Sequence, residues 1–110
     1  MKIRNKGRHK THDVYAIAVY TSEDFGLRTR AVFYAFEDGM LGLSAESFDE
    51  IDIVDSNLGA DFKIHPMAHN KGFMILWDYF DDIDHLARLI NLESDTLETF
   101  EKARSDRKLR

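Results

Sequence analysis

The stretch WDYFDDIDHLARL, Trp77 to Leu89, sets four aspartates and a histidine (Asp78, Asp81, Asp82, Asp84 and His85) within eight residues. Oxygen ligands crowded in this way can bind a divalent cation if they converge on one point. The EF-hand pattern requires a glycine among its alternating acids and a distal glutamate, and FDDIDHL has no such glycine. At helical spacing Asp81 and His85 are four apart and share a face, which permits a two-ligand patch. HPMAH supplies His65 and His69 at the same interval, but Pro66 makes this a loop rather than an HExxH-type helix. A metal-dependent hydrolase would be assembled from His65, His69, Asp81 and His85. The aspartates also have a structural use. Asp78 is a good N-cap, and Asp81 and Asp82 fall in the first turn, where the helix dipole favours negative charge by about 0.3–1 kcal/mol each. Asp84 and Arg88 form an i,i+4 pair worth roughly 0.2–0.5 kcal/mol. This use covers every aspartate in the run, so no metal or other cofactor is expected.

Other catalytic constellations are weaker. There is no cysteine, which excludes a thiol nucleophile, a disulfide framework and cysteine-ligated zinc within this chain. No GxSxG elbow occurs, and the serines lie mostly beside turns or helix starts. The glycines Gly39, Gly42, Gly59 and Gly72 are spaced singly and build no phosphate-cradling loop. His9 and His12 sit among cations that disfavour binding another. The chain is read as a non-enzymatic protein.

The most unusual feature is charge. Residues 13–101 carry five Lys/Arg against nineteen Asp/Glu, a net of -14, whereas residues 1–12 carry +5 and residues 102–110 carry +4, leaving -5 overall. From Glu37 to Asp61 there are eight acids (Glu37, Asp38, Glu46, Asp49, Glu50, Asp52, Asp55 and Asp61) and no Lys or Arg. Like charges repel, so such a segment is more readily tolerated when a basic partner neutralises it. Carboxylates on a rigid sheet can also occupy the positions that phosphates take in a nuclease cleft. The expected partner surface comprises Glu46, Asp49, Glu50, Asp52 and Asp55, then Asp78, Asp81 and Asp82. Phe48, Trp77 and Tyr79 are its aromatic anchors. The basic ends, about 1–12 and 103–110, are expected to be mobile tails, with folding back onto the acidic body as the alternative. A nucleic-acid reading would use the arms at 2–10 and 102–110, and the acidic body argues against it.

These residues must be positioned by short strands and then helices. VYAIAVYT (14–21), RTRAVFYAF (28–36), IDIV (51–54), FKIH (62–65) and GFMILW (72–77) have strand patterns, and EDG (37–39) predicts a hairpin of 28–36 against 40–44. Ile51 and Ile53 are expected on one face of their strand, and Phe62 and Ile64 on one face of theirs. The period then changes to that of a helix over 78–92, with Phe80, Ile83, Leu86, Ala87 and Ile90 inward, followed by a helix over 95–104 with Leu97, Phe100 and Ala103 inward. The fold class is α+β: a curled antiparallel meander of five to six short strands, with a small barrel as its tightest form, and one or two C-terminal helices packed on it.

At 110 residues this is one domain, large enough for a single core. The longest apolar run, FMILW, is too short to span a bilayer, and the basic start leads into no apolar signal region. A cytoplasmic protein without a membrane partner is expected. The stretch FYAFEDGMLGLSAESFDEID resembles small bacterial and phage proteins with an aromatic strand and an acidic Glu-Asp-Gly hairpin, some of which have SH3-like barrels. The acidic, cysteine-free body resembles bacterial immunity proteins. This resemblance implies a protein that binds and neutralises a cognate toxin, a basic nuclease for instance, by covering its active site.

Overall fold

The computed structural model describes residues 1–23, 26, 28–68 and 71–108, the last for its backbone only. Its sheet is organised by the longest strand, β2 (His12–Thr21), whose run of β-branched and aromatic residues suits a pleated, two-sided environment. Along one edge β2 pairs with β3 (Thr29–Phe36) from Asp13↔Phe36 to Thr21↔Thr29. Its other edge is shared. β1 (Lys2–Asn5) takes the start, at Lys2↔Asp13 and Ile3↔His12, and β7 (Lys71–Trp77) takes the rest, from Ala16↔Leu76 to Thr21↔Lys71. Outside these lie β4 (Ser44–Ser47) on β3, β5 (Ile51–Asp55) on β1 and β6 (Phe62–Pro66) on β7.

The register of β2 shifts between Val14 and Ala16, a bulge at Tyr15. A bulge sets two successive side chains on one face. Tyr15 and Ala16 both join the cluster of Ala18, Met74, Leu76, Trp77 and Phe80, which the helices α1 (Ile83–Ile90) and α2 (Ser94–Lys108) cover with Leu86, Leu89 and Phe100. Val14 and Ile17 face the other way, into a second cluster with Ile3, Phe33, Ala35 and Ile51, which draws no residue from either helix.

β4 and β5 lie at opposite edges of the order β4-β3-β2-β1-β5, yet only a 3₁₀ turn, Phe48–Glu50, joins them. A flat sheet would separate these edges by about 19 Å, four strand spacings. The four steps from Ser47 to Ile51 reach at most about 14 Å. The sheet must therefore curl, which buries Ile3 and Ala35 completely without help from a helix. No ladder joins β4 to β5 among the described residues, so the barrel expected as the tightest form is not closed.

The class is α+β as expected, with seven strands instead of five or six. The additional strand is β1, within the stretch expected to be a mobile arm. Ile3 is a fully buried core residue there, and burying it outweighs the solubility of the flanking cations. The hairpin partner of β3 is displaced from 40–44 to 44–47, because Gly39 and Gly42 take positive φ and lengthen the turn. The first helix starts at 83, not 78. Trp77–Phe80 forms a turn, with the Phe80 N–H donating to Trp77 O at 2.9 Å, and Asp82 becomes the N-cap by accepting the His85 N–H at 2.8 Å. The second helix extends beyond 95–104 in both directions. Among the described residues, no helix is long and apolar enough to cross a membrane.

Candidate functional site

β4, the 3₁₀ turn and β5 carry Glu46, Phe48, Asp49, Glu50, Asp52 and Asp55, which are all at least partly exposed. Glu46 lies opposite Phe33 in the β3–β4 ladder. Phe48 stacks on the Phe33 ring at 6.1 Å between centroids and is still 55% exposed. An aromatic ring held by a buried neighbour and open to solvent fits the anchor role. Asp49 is fixed by Ser47, whose Oγ donates to Asp49 Oδ1 at 2.5 Å. This hydrogen bond is the main reason the Asp49 carboxyl titrates below its ordinary range, so it stays charged. A groove of about 320 Å³ runs beside Phe48, between Ser47–Asp49 and the Arg28–Ala31 stretch.

The acids fall into two groups. Among the described residues, Glu46, Asp49, Glu50 and Asp55 form no salt bridge. Asp55 does accept the Asn57 N–H at 2.9 Å in a turn. Asp52 lies 3.7 Å from Arg4, and Asp13 lies 3.0 Å from Lys2. At the other end of the chain, Arg107 grips Asp61 with two bonds, Nε to Oδ2 at 3.0 Å and Nη2 to Oδ1 at 3.3 Å. Both basic ends thus reach back to the acidic body. Lys6, Arg8 and Lys10, in the β1–β2 connection, form no ion pair among the described residues.

The second acidic run is placed differently. Trp77 is only 7% exposed and belongs to the helix-covered core, so it is not an anchor. Its bulk is used against Tyr15, Tyr79, Phe80 and Phe100. The Tyr79 hydroxyl and Thr99 Oγ1 share a 2.6 Å hydrogen bond that ties the turn to α2. Asp78 sits 3.9 Å from Lys63, and its N–H bonds Asp61 O at 2.9 Å. Asp82 is committed to capping. Asp81 projects into solvent. Asp61, Trp77, Asp78, Tyr79 and Arg107 border a groove of about 350 Å³ at this end.

His85 packs against both the Tyr79 and Phe80 rings, which also touch each other. Its Nδ1 accepts the Asp81 N–H at 3.2 Å and lies 3.8 Å from the Asp81 carboxylate. A nitrogen that accepts an N–H carries no proton, so the backbone bond, rather than an ion pair, describes this contact. Among the described residues, which include His65, Asp81 and His85 of the proposed hydrolase set, no three His, Asp or Glu side chains are close enough to hold a metal ion. His69 lies outside the described residues.

Sequence reasoning missed the Asp61–Arg107 clamp, whose partners are 46 residues apart and carry no local signal. Burial alone would raise the Asp61 carboxyl; hydrogen bonds and charge from Arg107 outweigh it and hold it below the usual carboxylate range. A carboxyl depressed in the folded state adds stability above its unfolded value, near 4, and that contribution is lost as pH falls through the lower folded value. Asp61→Asn should therefore be less stable than the parent at neutral pH, with the gap closing below about pH 4. Urea denaturation of both proteins at pH 7 and pH 3 measures this; a gap equal at both values removes the clamp as its cause.

It also missed an exposed apolar surface on the helix-free side. Ile64, expected on the same strand face as Phe62, is 68% exposed, because β6 is an outermost strand. Ile53, on outermost β5, is 43% exposed for the same reason, while Ile51 is buried. Compared with known proteins, the chain matches no family model, no curated protein and no solved structure.

Proposed function

We propose that this chain is a non-enzymatic binding protein that uses the β4–3₁₀–β5 ridge to cover a basic surface of another protein. In this reading the chain is an immunity protein acting on a cognate toxin, such as a nuclease whose cleft is built to hold phosphates. The observation that carries this reading is the ridge itself. Four carboxylates there (Glu46, Asp49, Glu50 and Asp55) lack ion pairs among the described residues, while Arg4 takes up Asp52 of the same ridge, Lys2 takes up Asp13 and Arg107 takes up Asp61. Surface pairs of that kind contribute at most about 1 kcal/mol each, so their placement says more about field than about stability. The four carboxylates outnumber the cations near them, Arg4 on Asp52 and the charges of Arg30 and Lys6 on Asp49, so the ridge keeps a net negative potential that steers a basic partner into contact.

The product of the reading frame adjoining this chain's own is the first partner to test. Its association should be fast at low salt and should slow steeply as salt rises. Reversing Glu46, Asp49 and Glu50 to lysine should slow association about tenfold or more and flatten the salt dependence. Stopped-flow association kinetics and inhibition of the partner's nuclease activity read the two consequences. An unchanged rate for the triple variant would overturn the ridge assignment.

A further inference from the structure

On the helix-free face the ladders set out two apolar rows. One runs Phe33–Ile17–Ile75–Ile64 across β3, β2, β7 and β6, and Glu46 stands at its β4 end. The next runs Ala31–Val19–Phe73–Pro66. A polar row, Thr29–Thr21–Lys71, closes the surface, with the two threonine hydroxyls bonded at 3.0 Å. Exposure increases along the rows. Phe33 and Ile17 lie under the curl, whereas Phe73 is 36% and Ile64 68% exposed. Phe48 overhangs the β4 end through its stack on Phe33. The opposite face of the same strands is covered by two helices; on this one the curl covers only the Phe33–Ile17 end, with Ile51, Met1 and Leu58, and Ala31, Val19, Ile75, Phe73, Pro66 and Ile64 stay at least partly exposed.

We infer that this seam is the apolar half of the partner interface, and that its occupant is an amphipathic basic segment of another protein. This inference rests on the ridge reading above and adds the source of binding energy that charge alone does not supply. Charge complementarity selects the occupant. The end of the seam under Phe48 is bordered by the carboxylates Glu46, Asp49 and Glu50, against Arg28 and Arg30 in the Phe48 groove and Lys71 on the closing polar row. A segment that buries apolar side chains along the rows therefore finds carboxylates for its cations at the β4 end. A second copy of this chain would bring a body of like charge against itself, at a net -5 per molecule. The open row, Ala31–Val19–Phe73–Pro66, crosses four strands from β3 to β6, about 14 Å at the usual strand spacing, and Phe48 extends it by one more at the β4 end. A helix of about 10 residues covers that row, and about 13 reach the Phe48 end.

The probe is a synthetic peptide of about 14 residues, leucine and lysine at helical spacing, with a leucine–glutamate peptide as its control. Binding is followed by fluorescence anisotropy as salt is varied. The parent should bind the lysine peptide at least tenfold more tightly than the glutamate peptide. Ile64→Asp, at a site too exposed to unfold the chain, should weaken binding at least tenfold, and Ile64→Leu should restore it. Loss of affinity in the Glu46, Asp49 and Glu50 reversal with no effect of Ile64→Asp would overturn the seam and leave the ridge standing. Loss in Ile64→Asp with no effect of the reversal would overturn the basic character of the occupant and the ridge together. Sedimentation of the parent as a dimer that Ile64→Asp dissociates would make the occupant a second copy and also overturn the inference.

Discussion

Gly72→Ala is expected to destabilise the fold by about 3 kcal/mol or more, at the upper end of what overpacking costs. A Cβ at this position would stand 2.1 Å from Val19 O, 2.6 Å from Tyr20 Cα and 2.8 Å from Tyr20 Cβ. Two of these atoms are backbone, so no rotamer change relieves the overlap, and β2 and β7 must separate where Tyr20 faces Gly72. The consequence reaches the seam, because β7 carries Phe73 and Ile75 into its rows. Gly39→Ala is the informative comparison. Gly39 takes φ +88° but has open space around its Cβ position, so alanine there meets only the left-handed backbone penalty of about 1–2 kcal/mol. Equilibrium urea denaturation should rank Gly72→Ala well below Gly39→Ala. An equal or reversed ranking would mean that the β2–β7 ladder yields without cost.

The sequence carried the class of this fold because the signals for its elements are local. Runs of β-branched, aromatic and apolar residues marked β2, β3 and β7, alternation marked β5 and β6, and the change to a helical period after Trp77 marked α1. What it did not carry depends on neighbours. Ile51 and Ile53 read identically in sequence, but only Ile51 lies under the curled sheet. Ile64 has the same two-residue offset from Phe62 that Ile53 has from Ile51, and it too lies on a strand with one neighbour. Whether a strand is central or outermost is a property of long-range pairing, and alternation alone does not encode it. β1 escaped recognition for the opposite reason. In KIRN a single isoleucine among polar residues gives almost no periodic signal, yet its side chain completes the second core.

The acidic surface was legible in part. Glu46, Phe48, Asp49 and Glu50 are adjacent in sequence and remain adjacent in space, because a 3₁₀ turn joins two short strands there. Trp77 was read as an anchor but is buried, for a physical reason: a large ring beside acids is equally compatible with an interface and with the end of a core strand. The bulge at Tyr15 decides between these, since it turns that ring toward Trp77 at 5.1 Å and closes the aromatic cluster from inside.

That cluster leads to the second large effect, Phe100→Ala, expected to cost about 3–5 kcal/mol. Phe100 is completely buried, edge-on to Tyr15 at 5.5 Å and Trp77 at 6.1 Å, and stacked with Phe80 at 6.0 Å. Other contacts also hold α2 to the sheet. Arg104 lies 3.8 Å over the Phe36 ring, and Arg107 grips Asp61. Each partly exposed contact of that kind is worth roughly 1 kcal/mol or less, so together they do not match the loss of the buried ring. The melting temperature should fall by roughly 10–20 °C, at about 4 °C per kcal/mol for a domain of this size. Phe100→Leu, which leaves a smaller cavity, should fall less. The ridge should be spared. Phe48 rests on Phe33, which belongs to the helix-free cluster, and the Phe100 cavity opens on the opposite face of β2. At a temperature where Phe100→Ala is still folded, its affinity for a basic partner should therefore match that of the parent. A parallel loss of stability and affinity would mean that the two cores are coupled through β2, and that the bulge at Tyr15 transmits the change rather than separating the faces.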